Sequence, residues 1–154
     1  MDKSLVRTLV IEDYEAFRTF ICSTLVKDSR IEIVGEASDG LEAVHKAELL
    51  RPDLIVLDVG LPKQNGIEAA RQIGKLVPES KILFLSLESS ADVVREAFCV
   101  GARGYVAKAR AGTELLAAVE AVLQGKLFVS SSLNVDLGPG LLRSTVRGRS
   151  GRKE

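Results

Sequence analysis

Two hydrophobic periods alternate along this chain. Val6–Ile11 (VRTLVI), Ile31–Ala37 (IEIVGEA), Leu54–Leu57 (LIVL), Lys81–Ser86 (KILFLS) and Gly104–Ala107 (GYVA) are short apolar runs rich in branched side chains. They are too short for helices and read as buried strands. Between them the apolar spacing lengthens to three and four, the signature of helices with one inward stripe. Phe17, Phe20, Ile21, Thr24 and Leu25 form the first stripe, within Tyr14–Val26; Ala43, Val44, Ala47 and Leu50 form the second. Ile67, Ala70, Ile73 and Val77 form the third, Val93, Val94, Ala97 and Val100 the fourth, and Leu115, Ala118, Val119, Val122 and Leu123 the fifth. Asp39-Gly40, Asn65-Gly66 and Glu88–Ser90 are the expected helix openings, with Thr113 as cap of the last; Pro52, Pro78, Gly101 and Gly125 are the expected stops.

Strand–helix alternation repeated five times predicts an α/β fold: a five-stranded open parallel sheet, a (βα)5 unit doubly wound by helices on both faces. Such a sheet carries all its strand carboxyl ends on one edge, and sites form there beside the switch point in strand order. What ends each strand therefore matters more than what fills it.

Four of the five strands end on a polar group: Glu12 and Asp13 after the first, Asp58 after the third, Ser86 at the end of the fourth, Lys108 after the fifth. Asp58 is the focus, because Val59, Gly60 and Pro62 turn the chain immediately after a fully apolar strand. Three carboxylates about 4 Å apart repel by several kcal/mol per pair at an effective dielectric near 20, so the cluster asks for a cation. Oxygen-only ligands favour Mg²⁺, which seeks phosphate oxygens. Lys108 is a point charge suited to a phosphoryl oxygen, Ser86 supplies a hydroxyl, and Asp58 is the natural nucleophile for an aspartyl phosphate. Taken singly, Lys108 reads as a solvated strand-end charge, Tyr105 as a half-buried sheet residue and Ser86 as a loop hydroxyl. Their coincidence at one edge is what carries the chemistry.

Length and composition narrow the setting. With 154 residues, 46% hydrophobic and 27% charged, the chain suits one ordinary globular domain with an aliphatic core, since it has no Trp and only two Tyr. No apolar run approaches the roughly eighteen residues of a membrane span, and acidic residues come too early for a signal peptide, so a cytoplasmic location is expected. Cys22 and Cys99 sit inside helical patterns, without a CxxC and with one His in the chain, which argues against zinc and for buried reduced thiols. His45, among Lys46 and Glu48, reads as exposed and is not chosen as a phosphodonor.

Charge divides the chain unevenly. Residues 1–126 carry 16 basic against 19 acidic groups, residues 127–154 carry 5 against 2, which sets the end of the chain apart. The expected division is a domain over residues 1–129 and a linker-like basic tail over 130–154, whose Gly, Ser and Arg content suits solvent. Leu133–Leu142 is the part of it with enough apolar residues to pack on the domain or on a second copy as a short strand or helix. Arg143, Arg147, Arg149, Arg152 and Lys153 are read as solvated in preference to weak salt-sensitive contact with nucleic acid or an acidic partner.

Glu12-Asp13, Asp58-x-x-Leu-Pro62, Asn65-Gly66, Ser86 and Lys108 together resemble the receiver domain of two-component response regulators, over about residues 5–126. The closing LLAAVEAVLQGKLFVS is similar to the LuxR/FixJ-type branch, in which a helix-turn-helix domain usually follows; residues 130–154 are too few for one, so no specific DNA binding is expected of this chain. The resemblance implies a flavodoxin-like strand order 2-1-3-4-5. It implies that Asp58 takes a phosphoryl group from a histidine kinase or phosphotransfer protein. Asp13, Asp58 and the Gly60 carbonyl would hold Mg²⁺, with Glu12 acting through water. Lys108 would pair with the phosphoryl oxygens, and Ser86 and Tyr105 would be a switch pair whose ring turns inward. The output surface, and a possible homodimer contact, would be helix four, strand five and helix five, including Arg95, Arg103 and Tyr105.

The sequence departs from the family's commonest pattern at several positions. Glu12 replaces an Asp, Ser86 replaces Thr, and Ala109 follows Lys108 where Pro is usual, which removes the usual reason for a cis peptide. Leu87 stands where a small residue is preferred, so slow phosphorylation and slow dephosphorylation are expected. The expected activity is self-phosphorylation and self-hydrolysis only. The alternatives are a receiver-like scaffold that works by binding alone and, less favoured, a Mg²⁺-dependent phosphohydrolase, for which the sequence offers no DxD at Asp58 and no insertion to form a lid.

Overall fold

The apolar runs become strands with the expected bounds: β1 (Val6–Ile11), β2 (Ile31–Ala37), β3 (Leu54–Asp58), β4 (Lys81–Ser86) and β5 (Gly104–Ala107). This is a computed structural model, and the structure describes residues 4–133 and 145–148. Helices α1 (Glu15–Leu25), α2 (Gly40–Leu50), α3 (Gly66–Leu76), α4 (Ala91–Cys99) and α5 (Ala111–Leu123) alternate with them. Asp39, Asn65 and Ser90 cap α2, α3 and α4 by accepting from the backbone N–H of Glu42, Glu68 and Val93. Thr113 is not the cap of α5: the helix starts at Ala111, after a 3₁₀ turn over Lys108–Arg110, and the Thr113 hydroxyl donates back to the Arg110 carbonyl.

Among the described residues the sheet has seven parallel strands, not five, in the order β2-β1-β3-β4-β5-β6-β7. The expected order of the first five is kept. The two additional strands are β6 (Leu127–Val129) and β7 (Thr145–Arg147), three residues each. Runs this short carry no readable period; they are strands because an unpaired β5 edge offers partners for their backbone groups. Two pairs from β5 to β6 and three from β6 to β7 extend the ladder.

Alternate residues of the central strands feed two cores. Leu9, Ile11, Ile55, Leu57 and Phe84 face α2, α3 and α4, packing with Ala43, Ala47, Ile73 and Ala97. Val10, Leu54, Val56, Leu83 and Val106 face α1 and α5, packing with Ile21, Leu25, Leu115 and Val119. The helices thus cover both faces, as a period-two strand buried on both sides requires. Phe20 is the one member of the α1 stripe that stays exposed, stacked on Phe17 outside the core.

Of the segment expected to be a tail, Ser130 and Leu133 are buried and 145–147 join the sheet. Arg147 is exposed; Arg143, Arg149, Arg152, Lys153 and positions 134–142 lie outside the described residues. Cys99 is exposed and Cys22 half-buried, which corrects the expectation of two buried thiols; both are free. His45 is exposed, as expected. No helix among the described residues is long and apolar enough to cross a membrane.

Candidate functional site

β3 is buried along its whole length, so Asp58 leaves the core at the carboxyl edge with only 5% of its surface exposed. The turn that follows is fixed from beneath. A Cβ at Gly66 would lie 2.1 Å from the Asp58 carbonyl oxygen, so only glycine lets the start of α3 dock there. The Gly66 N–H also donates to the Val59 carbonyl at 2.7 Å. Within this turn the Gly60 N–H donates to Asp58 Oδ1 at 3.1 Å, orienting the carboxylate.

β1 delivers the other acids. Glu12 is fully buried, its Oε2 accepting from the Tyr14 N–H at 3.0 Å, while Asp13 points to solvent. Oxygen atoms of Glu12, Asp13 and Asp58 lie within 4.8 Å of one another, an arrangement able to hold a metal ion. Lys108, just past the end of β5, closes the cluster from the far side. Its Nζ lies 2.8 Å from Glu12 Oε1 and 3.2 Å from Asp58 Oδ2, and 5.0 Å over the centre of the Phe17 ring. Burial pulls the Lys108 ammonium toward its neutral form, yet the hydrogen bond it donates to Glu12 and the charges of Asp58 and Glu12 outweigh it and raise its pKa. Glu12 is raised as well: burial dominates, with the Asp58 charge adding and Lys108 opposing.

A pocket of about 350 Å³ opens over this cluster, bounded by Tyr14, Gly60, Ser86, Leu87 and Glu88. Three carboxylates against one ammonium leave a formal excess of negative charge facing it. All the donors are oxygens, and the Gly60 backbone borders the same space, so the residues present suit a hard divalent cation. Leu87 stands on the rim with 82% of its surface exposed, apolar where the floor is charged. Lys108–Ala109 is a trans peptide, like every other bond among the described residues.

Ser86 and Tyr105 meet through Glu88. Ser86 Oγ accepts from the Glu88 N–H at 2.9 Å, and the Tyr105 hydroxyl donates to the Glu88 carbonyl at 2.9 Å. The Tyr105 ring is fully buried beside Phe84, 6.1 Å between centroids, so it is neither half-buried nor part of an exposed surface. Burial raises its pKa, with Ser86 opposing. Arg95 and Arg103 are exposed on α4 and before β5, Arg95 paired with Asp92 at 2.8 Å.

The structure thus brings together every residue singled out at the strand ends. Reading from the sequence missed Glu88, whose backbone joins Ser86 to Tyr105; backbone contacts leave no mark on residue type. It also missed Phe17, assigned only to the helix stripe.

A doubly wound parallel sheet with a lysine-bridged acidic pocket at its carboxyl edge defines the class. Comparison supplies the family: residues 8–120 match the model of the response regulator receiver domain, and the chain belongs to that family. It is 30% identical over 137 residues to the transcriptional regulatory protein DegU of Brevibacillus brevis, covering 89% of this chain and 58% of DegU. It is 34% identical over 116 residues to the chemotaxis protein CheY of Listeria monocytogenes serovar 1/2a, covering 75% of this chain and 97% of CheY. A LuxR-family two-component response regulator from Aurantimonas sp. SI85-9A1 superposes with a TM-score of 0.76 at 28% identity, over 92% of this chain and 95% of that one. The chain thus spans 58% of the length of DegU, and the same share of DevR/DosR of Mycobacterium tuberculosis. Receiver domains are signalling modules, and phosphorylation-dependent signalling of the two-component type is the function this family membership carries.

Proposed function

We propose that Asp58 accepts a phosphoryl group from a phosphohistidine of a histidine kinase or phosphotransfer protein. The observation that supports this most directly is Lys108 Nζ held 3.2 Å from Asp58 Oδ2 at the floor of an open acidic pocket, by residues fifty positions apart. An Asp58 carboxylate oxygen attacks phosphorus in line as the P–N bond breaks. The imidazole nitrogen leaves with the electron pair and takes up a proton. The product is an acyl phosphate on Asp58; attack by water at phosphorus later returns the carboxylate and inorganic phosphate.

In this reading Asp13, Asp58 and the Gly60 carbonyl hold Mg²⁺, with Glu12 contributing through water. Bound there, the ion neutralises the oxygens of the transferred group. Lys108 exchanges its bond to Asp58 for one to the phosphoryl oxygens. Ser86 turns its hydroxyl toward them, and Glu88 N–H then loses its acceptor. Because the Glu88 carbonyl holds the Tyr105 hydroxyl, that loss is felt at β5 without the ring having to enter from outside. The altered surface is α4, β5 and α5, with Arg95 and Arg103 on it, available to a partner or to a second copy. The residues that carry this chemistry all lie within residues 1–129, the receiver unit. A phosphohistidine donor of this kind is met in the cytoplasm.

The test is incubation with a small acyl phosphate and Mg²⁺, followed by intact mass. The expected result is a mass gain of one phosphoryl group, absent in Asp58→Asn and absent without a divalent cation. Inertness of the wild-type chain would assign it to binding alone, and steady phosphate release from phosphate esters to hydrolysis.

A further inference from the structure

A further buried carboxylate, besides those of Glu12 and Asp58, lies outside this pocket and takes no part in its chemistry. Glu114, in the first turn of α5, is 3% exposed. Its Oε1 accepts from the Ser130 hydroxyl, and its Oε2 accepts from the Ser131 N–H at 3.2 Å and the Ser131 hydroxyl at 2.7 Å. Arg110 Nε lies 3.5 Å from the same oxygen. Ser130 Oγ in turn accepts from the Ala107 N–H at 3.1 Å, tying the cluster to the end of β5. A buried acid is costly to fold unless donors satisfy it, and here two hydroxyls, a backbone N–H and Arg110 converge on one carboxylate.

What rests on that carboxylate is the end of β7, the last of the described strands. A Cβ at Gly148 would lie 2.2 Å from Glu114 Oε2 and 2.9 Å from the Ser131 nitrogen, so a residue without a side chain is required there. The Gly148 N–H donates to the Val129 carbonyl at 2.7 Å, and the Arg147 guanidinium donates to the Leu133 carbonyl. Val146, which precedes Arg147 and lies opposite Phe128 in the ladder, packs on the α1/α5 core. Successive positions 146, 147 and 148 are therefore read as apolar inward, basic outward and side-chain-free over the acid. This is recognition by strand addition: the ladder gives affinity, and the pockets for individual positions give selectivity.

We propose that the β6 edge and the Glu114 carboxylate form a docking site for an extended peptide segment, and that the chain's own residues 145–148 occupy it in the same molecule. Docking occupies the β6 edge of the sheet. It leaves as outermost a three-residue strand carrying an exposed arginine, a poor template for further pairing. The site is independent of Asp58 chemistry, which touches neither Glu114 nor Gly148.

The test is hydrogen exchange on the full-length chain, read at the amides of 146–148, in the wild type, in Gly148→Ala and in Gly148→Val. Wild-type exchange is expected to be at least tenfold slower than the rate of an unstructured peptide, with most of that protection lost in both variants. Protection of β3 and acceptance of a phosphoryl group should stay unchanged in both. Wild-type exchange at the unstructured rate overturns the proposal, as does equal protection in all three proteins. Protection that grows with protein concentration in step with dimer formation also overturns it, and gives the site to the tail of a second copy.

Discussion

Two buried glutamates, Glu12 just after β1 and Glu114 in the first turn of α5, do opposite things in this molecule. Glu12 shares an ammonium with Asp58 under an open pocket, whereas Glu114 is enclosed by two serines, a backbone N–H and Arg110, with Gly148 pressed against it. The first set has oxygens left over and space beside them; the second has its oxygens spoken for and none. An acid that is buried but incompletely neutralised is available for chemistry, while one that is saturated with donors is a joint. Burial alone distinguishes neither.

Four substitutions sharpen that contrast. The largest effect is expected from Asp58→Asn, which should abolish phosphoryl uptake by intact mass while leaving the fold intact, because the amide keeps the shape of the carboxylate. Glu114→Ala should do the reverse. It strands the donors of Ser130 and Ser131, at about 2–3 kcal/mol, and lowers the thermal midpoint while phosphoryl uptake persists.

Lys108→Met leaves Glu12 and Asp58 facing each other and should cost about 1–3 kcal/mol, less than an enclosed pair because the pocket admits water. Its pH dependence has a definite sign. The folded pKa of Lys108 is raised above 10.5, so its contribution is complete below that value and is lost as pH rises through the folded pKa. The difference in thermal midpoint between wild type and Lys108→Met should therefore be constant near neutrality and shrink in strong alkali. Leu87→Ala should change stability by less than about 0.5 kcal/mol, since the side chain is 82% exposed. It should speed both phosphoryl uptake and loss several-fold; equal rates in the two proteins would show that the Leu87 side chain does not restrict the pocket.

The contrast also shows where sequence reading succeeds. The Asp58 site was legible because each of its groups follows a run of branched apolar residues, and a period-two pattern fixes where a strand must stop. The Glu114 site was not. Glu114 sits in a helix of ordinary pattern, Ser130 and Ser131 in a serine-rich stretch that suits solvent, and Gly148 among residues set aside as tail. Nothing local distinguishes a glycine that admits an acid from one that merely bends a loop. The same limit explains the count of strands: five announce themselves by composition, whereas Leu127–Val129 and Thr145–Arg147 pair only because an edge is present beside them.

By itself the sequence determined five strands, five helices, their alternation, and hence one sheet edge carrying three acids, a hydroxyl and a lysine. Those follow from local periodicity, which each segment carries within itself. Tertiary structure alone decided that Tyr105 is buried with its hydroxyl on the Glu88 carbonyl, that Lys108 bridges Glu12 and Asp58, and that the last described residues extend the sheet. These depend on contacts between segments far apart in the chain, where backbone groups and available space count as much as residue identity.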